Sequence, residues 1–441
     1  MLSEDRLYWV WLSQKCGAAS KEFARLIARF ENPFDIFRLD AEELYAIDCI
    51  GDALRDKLSE KSLEHAYSIL KYCSQNAIDI ISYGDKRYPL RLKTLEDPPV
   101  LLYCIGTFPK FDDRLCVGVV GTRKISAYGM QSTYKISYEL ASASACIVSG
   151  MALGVDAVAA CAALEAGGTT VAVLGCGVDV VYPKTHARLK RAISKSGCII
   201  SEYPPAEAPY ASNFPKRNRI ISGLCQGVLV IEGNKQSGAM ITAEKAISQG
   251  REVFALPGKI NESNSEGPND LIQKGVNVAL SAYDIAIHFD LLYHGAVDFT
   301  SLYFAKRRSE FVPSALEKYG VSTEVYFGTL QNNGIEEKRA EHKSNTLSAN
   351  SIVKDESVIV SRKTSETEDI RPAGGDNSLA VLDTLDSITK NVFEAMPIDK
   401  AVSPDEFVAS GISISEAITS LTMLEIMGLV LSLPGGMYLR K

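Results

Sequence analysis

The residues best suited to chemistry lie in one run, Asn213-Phe214-Pro215-Lys216-Arg217-Asn218-Arg219-Ile220-Ile221-Ser222-Gly223. Three cations within four positions, beside an aromatic ring and an amide, can meet backbone phosphates and give a nucleobase a face to stack on. The bland reading of the same run is a solvated helix face with Ile220 and Ile221 turned into a core. A helix-opening loop built from Asn, Pro and an aromatic residue serves more than solubility. Asn213, Phe214, Lys216, Arg217, Asn218 and Arg219 are therefore candidate contacts to nucleic acid.

Several short apolar runs end in loops of a related kind. LCVGVV ends in Gly121-Thr122-Arg123, with a helix starting near Ser126. A glycine at the carboxyl end of a parallel strand lets backbone N–H groups approach a ligand, and the next helix N-terminus favours an anion. Arg123 can add a bidentate phosphate contact. The spacing after Gly118 and Gly121 fails the dinucleotide fingerprint G-x-G-x-x-G. A second strand leads into Ser149-Gly150 and then Gly154-Val155-Asp156, where Asp156 reads as a helix cap. A third leads to Tyr182-Pro183-Lys184, where Pro183 starts a helix and leaves Lys184 near the same edge. After GVLVIE, Ser237 and Gly238 sit at a helix start with Thr242 one turn on, so hydroxyls and free amides converge. Carboxyl ends of parallel strands share one edge, so these loops are expected to line a single crevice.

The elements that must position them follow from periodicity. Residues 1–75 carry apolar positions three and four apart, as in KEFARLIARF, and read as a small helical domain of the SAM or helix-hairpin kind. Residues 76–290 hold short β-rich runs (LCVGVV, ACIVS, TTVAVLG, GCIIS, GVLVIE, EVFAL) separated by stretches long enough for crossover helices. That pattern predicts an α/β fold, a doubly wound parallel sheet covered on both faces. Residues 291–378 are rich in Ser, Glu, Lys, Asn and Thr and are expected to form a mostly disordered linker. Residues 379–441 regain periodicity as helix, turn, helix and a hairpin closed at Pro434-Gly435-Gly436, the winged-helix order.

Composition excludes more than it selects. The chain has 441 residues and a formal net charge of −7, so bulk charge argues against nucleic acid and only a local basic patch can restore it. No apolar run approaches the length of a membrane span and no signal segment opens the chain, which predicts a soluble, cytoplasmic protein without membrane attachment. The ten cysteines show no C-x-x-C spacing, so free thiols in a reducing compartment are expected. None of the five histidines sits in a nucleophile motif, and G-x-S-x-G, H-E-x-x-H and P-loop patterns are absent. Glu202 and Glu232 at strand ends read as structural or loop-orienting. No catalytic residue, metal or cofactor is expected.

The stretches VGVVGTRKISAYG, SGMALGVDAVAACAALEAGG, VAVLGCGVDVVYPK, SEYPPAEAPYASNFPKRNRIISGL, GVLVIEGNKQSGAMITAEKAISQGREVFALPG and NDLIQKG resemble, in order, the DNA-processing protein A (DprA/Smf) family. The resemblance implies an extended Rossmann-like fold in a non-enzymatic protein that binds single-stranded DNA, protects it, forms a homodimer and loads the RecA recombinase during natural transformation. It places phosphate contacts on Arg123, Lys184, Arg217 and Arg219, and ligand loops on Gly121, Ser149, Gly150, Ser237, Gly238 and Thr242. Thr122, Ser126 and Gly154 in the same loops complete the candidate set.

Two departures stand out. Ala160 and Cys161 occupy the place of a family histidine, and Cys16-Gly17-Ala18-Ala19-Ser20 replaces a Gly-x-Gly hairpin. SISEAITSLTMLEIMG lacks Lys and Arg and carries Glu416 and Glu425, so the winged helix is expected to contact protein, or DNA only weakly. Two other classes compete with this reading. A nucleotide phosphoribohydrolase of the lysine-decarboxylase-like Rossmann family would need P-G-G-x-G-T where this chain has Gly233-Asn234-Lys235-Gln236-Ser237-Gly238. A dinucleotide-dependent oxidoreductase lacks its fingerprint.

Overall fold

The computed structural model describes residues 4–290, 295, 297–306, 308–324, 387–397, 400–426, 429–433 and 437–440. Two compact units divide the chain, Met1–Glu341 and His342–Lys441.

The first unit opens with helices α1 (Glu4–Cys16), α2 (Lys21–Phe30), α3 (Pro33–Arg38), α4 (Ala41–Tyr45), α5 (Asp52–Ser59) and α6 (Glu64–Gln75). Their starts are chemically marked. The Ser20 hydroxyl accepts from the Phe23 amide, Asn32 precedes Pro33, and Asp40 and Glu43 form a reciprocal capping box. Then come β1 (Asp79–Ser82), α7 (Leu90–Lys93) and β2 (Leu101–Gly106), followed by the alternating core of β3 (Cys116–Val120), α8 (Ala127–Ser142), β4 (Cys146–Ser149), α9 (Val155–Glu165) and β5 (Thr170–Val173). The alternation continues through α10 (Ala187–Ser196), β6 (Cys198–Ser201), α11 (Asn213–Leu224), β7 (Gly227–Val230), α12 (Gly238–Ser248), β8 (Glu252–Ala255), α13 (Glu266–Gln273), β9 (Asn277–Val278) and α14 (Ala282–Asp290).

The strands form one sheet in the order β1-β2-β6-β5-β4-β3-β7-β8-β9. From β6 to β9 every neighbouring pair is parallel, while β2 runs antiparallel to β6 and β1 antiparallel to β2. All six β-rich runs seen in the sequence become strands. They are mostly apolar because both faces are covered. Cys116, Cys146, Val148, Val171, Val173, Cys198, Ile200, Val228 and Val230 share one core, and Val117, Ile147, Ala172, Ile199 and Leu229, on the intervening positions, share the other.

The second of those cores also contains Trp9, Trp11, Phe23 and Leu26 of the N-terminal helices. The helical region and the sheet therefore belong to one compact unit, and position 75 is a change of secondary structure inside a continuous core. The linker boundary requires correction as well. Helices α15 (Phe299–Ala305) and α16 (Pro313–Glu317) lie within the span assigned to the linker, and Leu302, Phe311, Leu316 and Val321 are buried in the same core. Average polarity concealed them because polar neighbours find partners. The Ser309 hydroxyl donates to Glu139 Oε1 at 2.7 Å, and Glu165 accepts from Lys318 at 2.7 Å and from the Tyr319 hydroxyl at 2.6 Å. The rest of the linker span, residues 325–378, lies outside the described residues.

The second unit holds α17 (Ser387–Ala395), a 3-10 run over Pro404–Ser410, α18 (Ile414–Ile426) and the antiparallel pair β10 (Val430–Leu433) and β11 (Met437–Arg440). Val402 adds a bridge to Tyr438. Val392, Phe393, Met396, Phe407, Leu421 and Leu424 form its core. The turn expected at Pro434-Gly435-Gly436 lies outside the described residues.

Candidate nucleic-acid interface

In the sheet β3 has β4 on one side and β7 on the other, so the connections leaving it diverge and open a crevice at the carboxyl edge. The crevice measures about 510 Å³. Gly121, Thr122 and Arg123 enter it from the end of β3, Ala152 from the β4 loop, Asp156 from the first turn of α9, and Tyr182 from the β5 loop. Opposite them stand Phe214, Arg217 and Asn218 of α11 and Ser237, Gly238 and Thr242 at the start of α12. A smaller recess of about 40 Å³ continues past Phe214 and Arg217 to Gly150, Leu153, Gly175 and Pro183.

Two features give the crevice its chemistry. The first is the N-terminus of α12, whose leading N–H groups have no acceptor within the helix. Ser237, which lines the crevice, precedes it; its own hydroxyl is buried and makes no hydrogen bond, so the leading amides of the helix are the groups left to meet an anion. The second is a cation and ring assembly. The exposed Arg123 guanidinium lies 5.7 Å from the Phe214 ring centroid, and the Tyr182 ring lies 5.4 Å from the same ring. A phosphate and a base can be met side by side here.

Behind these surfaces lies a scaffold of buried charge. Arg217 donates from Nη1 to the carbonyl oxygens of Gly150, at 3.0 Å, and Val173, and from Nε to Asn218 Oδ1 at 3.1 Å. It ties α11 to the ends of β4 and β5. Only glycine fits at 150, since a Cβ there would touch the guanidinium at 2.5 Å. Asp156 accepts from the amides of Gly150 at 3.0 Å and Ala152 at 3.3 Å, so it shapes the β4 loop and does not cap α9. Burial pushes its carboxyl above the ordinary range while Arg217 pulls it back, and burial lowers the Arg217 guanidinium. Glu232 accepts from the Ser126 amide at 2.9 Å and from the Ser126 hydroxyl, orienting the loop after β3 as its strand-end position suggested.

The comparisons with known proteins agree with this geometry. The family described as DNA recombination-mediator protein A matches residues 79–290. The DNA processing protein DprA of Bacillus subtilis is 39% identical over 217 residues, which cover 49% of this chain and 73% of that protein. The DprA of Streptococcus pneumoniae is 44% identical over 211 residues, covering 47% and 72%. The chain belongs to the DprA/Smf family. An X-ray structure of DprA from Streptococcus pneumoniae matches at 35% identity with a TM-score of 0.57, covering 64% of this chain and 97% of that one.

Of the residues expected at the site, this DprA-family chain brings Gly121, Thr122, Arg123, Gly150, Phe214, Arg217, Asn218, Ser237, Gly238 and Thr242 to the two recesses. Others support from behind. Ser126 caps α8, the Ser149 hydroxyl donates to the Val119 carbonyl at 2.7 Å, and Asn213 is buried at the start of α11. Gly154 takes φ +76° where a Cβ would strike the Thr122 carbonyl. Lys184 and Lys216 are exposed and line neither recess.

Arg219 is a correction. It is 2% exposed, with Nη2 2.6 Å from Glu202 and Nε 3.4 Å from Asp97, so its charge is spent inside the protein. Ala160 and Cys161, at the place of the family histidine, are both buried in α9. Sequence reasoning missed Ala152, Pro209, Ala211, Tyr182 and Ile241 as lining residues. Tyr182 alone carried a signal, an aromatic ring directly before the proline that opens the next helical turn.

Proposed function

We propose, from its membership of the DprA/Smf family, a DNA-processing, recombination-mediator role for this chain. We propose that the crevice holds the backbone of single-stranded DNA without strong sequence preference, and that the chain protects incoming strands and loads RecA during natural transformation. The observation that carries this reading is the crevice pairing of the exposed Arg123, over Phe214, with the leading amides at the start of α12. Anion recognition and stacking coexist there, while Asp156 and Glu232 are occupied in holding loops. A binding protein, not an enzyme, is the reading that fits this disposition, and the phosphoribohydrolase alternative draws no support from it.

On this reading the protein acts in the cytoplasm as a homodimer, and its second unit is a winged helix turned to protein partners. No helix among the described residues is long and apolar enough to cross a membrane. Gly121, Thr122, Arg123, Phe214, Asn218, Ser237, Gly238 and Thr242 are the proposed direct contacts, with Lys184 and Lys216 as peripheral cations. Ser126, Ser149, Gly150, Gly154, Asn213 and Arg217 are positioning residues.

Replacing Arg123 by Ala tests the assignment. Affinity for single-stranded oligonucleotides of different sequence should fall by a similar factor, and the slope of log affinity against log salt should flatten by about 0.7 for one lost phosphate contact. RecA assembly on the same strands, followed with and without the full chain, should lose its acceleration in the variant. Unchanged binding by Arg123→Ala would exclude the crevice as the DNA site.

A further inference from the structure

Helix α10 has two faces of different character. Leu189 and Ile193 are fully buried, and the Lys190 ammonium is drawn back to the Val180 carbonyl at 2.7 Å. Arg188, Arg191 and Lys195 are exposed at spacings of three and four, so they form one stripe along the helix. Lys184, exposed in the turn that opens α10, extends that stripe at its beginning.

Among the described residues, none of these four cations has an ion-pair partner. The chain between Val180 and Ser201 contains no Asp or Glu. Nearby acids are engaged elsewhere, Glu165 with Lys318 and Tyr319, and Asp179 with Tyr72 and the Ala206 amide. Aligned like charges destabilise a helix. A protein with net charge −7 that keeps four of them in line, unpaired, has a stripe suited to an anionic polymer.

The topology says where that polymer comes from. The β5 loop carries Tyr182 into the crevice wall, the chain turns at Pro183, and α10 then returns toward the start of β6, the far edge of the parallel sheet. The stripe therefore begins at the crevice lip and leads away from it for about 16 Å, eleven residue positions at 1.5 Å each.

We propose that α10 is an exit track for single-stranded DNA, a backbone-only surface occupied by strands too long for the crevice alone. The proposal rests on the crevice being the DNA site and adds a second segment to it. An acidic protein surface would match the charge but has no reason to start at the lip.

The test uses the full chain and fluorescein-labelled oligothymidylates of about 4 and about 16 nucleotides, which bracket the site sizes of single-strand-binding modules. The variant is Arg188→Gln with Arg191→Gln and Lys195→Gln, all exposed positions. A charge-matched control carries Lys21→Gln, Arg25→Gln and Arg29→Gln on α2, also exposed. The α10 variant should weaken binding of the longer strand about tenfold or more and flatten its salt slope by about 2, three contacts at roughly 0.7 each. Binding of the shorter strand should be unchanged, and the control should bind both like the unaltered chain.

An unchanged affinity for the longer strand would overturn the proposal and point to a protein partner for the stripe. Equal losses at both lengths, or in the control, would reduce the effect to net charge and overturn it too. Failure of the unaltered chain to bind either oligonucleotide would instead remove the crevice reading itself.

Discussion

Arg217 and Arg219 stand two positions apart on α11 and look alike in the sequence, yet they do different work. Arg217 reaches the carbonyls behind the crevice, whereas Arg219 neutralises Glu202 from the other flank of the helix. Burial raises the Glu202 carboxyl and Arg219 lowers it, so each holds the other's charge in place. Arg219→Ala should destabilise the first unit by about 3–5 kcal/mol in urea unfolding, because it leaves a buried carboxylate without its partner. Affinity per folded molecule for single-stranded DNA should not change, and Glu202→Gln in the same chain should recover part of the loss. His186 offers a second test at this scale. It is buried with Nδ1 3.1 Å from the Met151 carbonyl, and burial holds its imidazole below the ordinary value of about 6.5. The unfolded chain takes up this proton first, so the stability due to neutral His186 is complete above about pH 6.5 and fades as pH falls below it. Unfolding free energies between about pH 7 and pH 5 should decline less steeply in His186→Gln than in the unaltered chain. Neither role was legible locally, since Glu202 lies 17 positions from Arg219 and the His186 partner lies 35 positions away.

At the scale of elements the sheet was the most readable part, because strands covered on both faces are mostly apolar and announce themselves without periodicity. Convergence of the strand-end loops was readable for the same reason, as parallel strands share an edge. Short elements that complete a core from a distance were not. Helices α15 and α16 bury Leu302 and Leu316 against the sheet unit, yet each is too brief for a periodic signal. The turn into α9 gives an element-level prediction. Gly154→Ala would force an L side chain into φ +76° against the Thr122 carbonyl, displacing the loop that presents Arg123. The variant should lose about 1–3 kcal/mol of stability and, unlike Arg219→Ala, should also bind single-stranded DNA less tightly. Calorimetry combined with fluorescence anisotropy separates the two effects.

At the scale of the molecule every residue that lines the crevice belongs to the unit Met1–Glu341. Helix α18 contains no Lys or Arg, and Glu416 is drawn into the cap that starts it, accepting from the Ser413 amide at 3.0 Å and from the Ser413 hydroxyl at 2.7 Å. A chain ending at Glu341 should therefore keep nearly all affinity for single strands in gel-shift titration, and a large loss would assign the second unit to the DNA.

The distribution of sulfur adds an experimental handle. All ten cysteines precede Gln226, eight of them are buried, and none occurs in the second unit. Maleimide labelling of the intact chain thus reports openings of the first unit alone, blind to motions of the second. Reaction at the sheet thiols Cys116, Cys146 and Cys198 marks its global unfolding, while half-buried Cys16 and Cys49 time the breathing of the N-terminal helices.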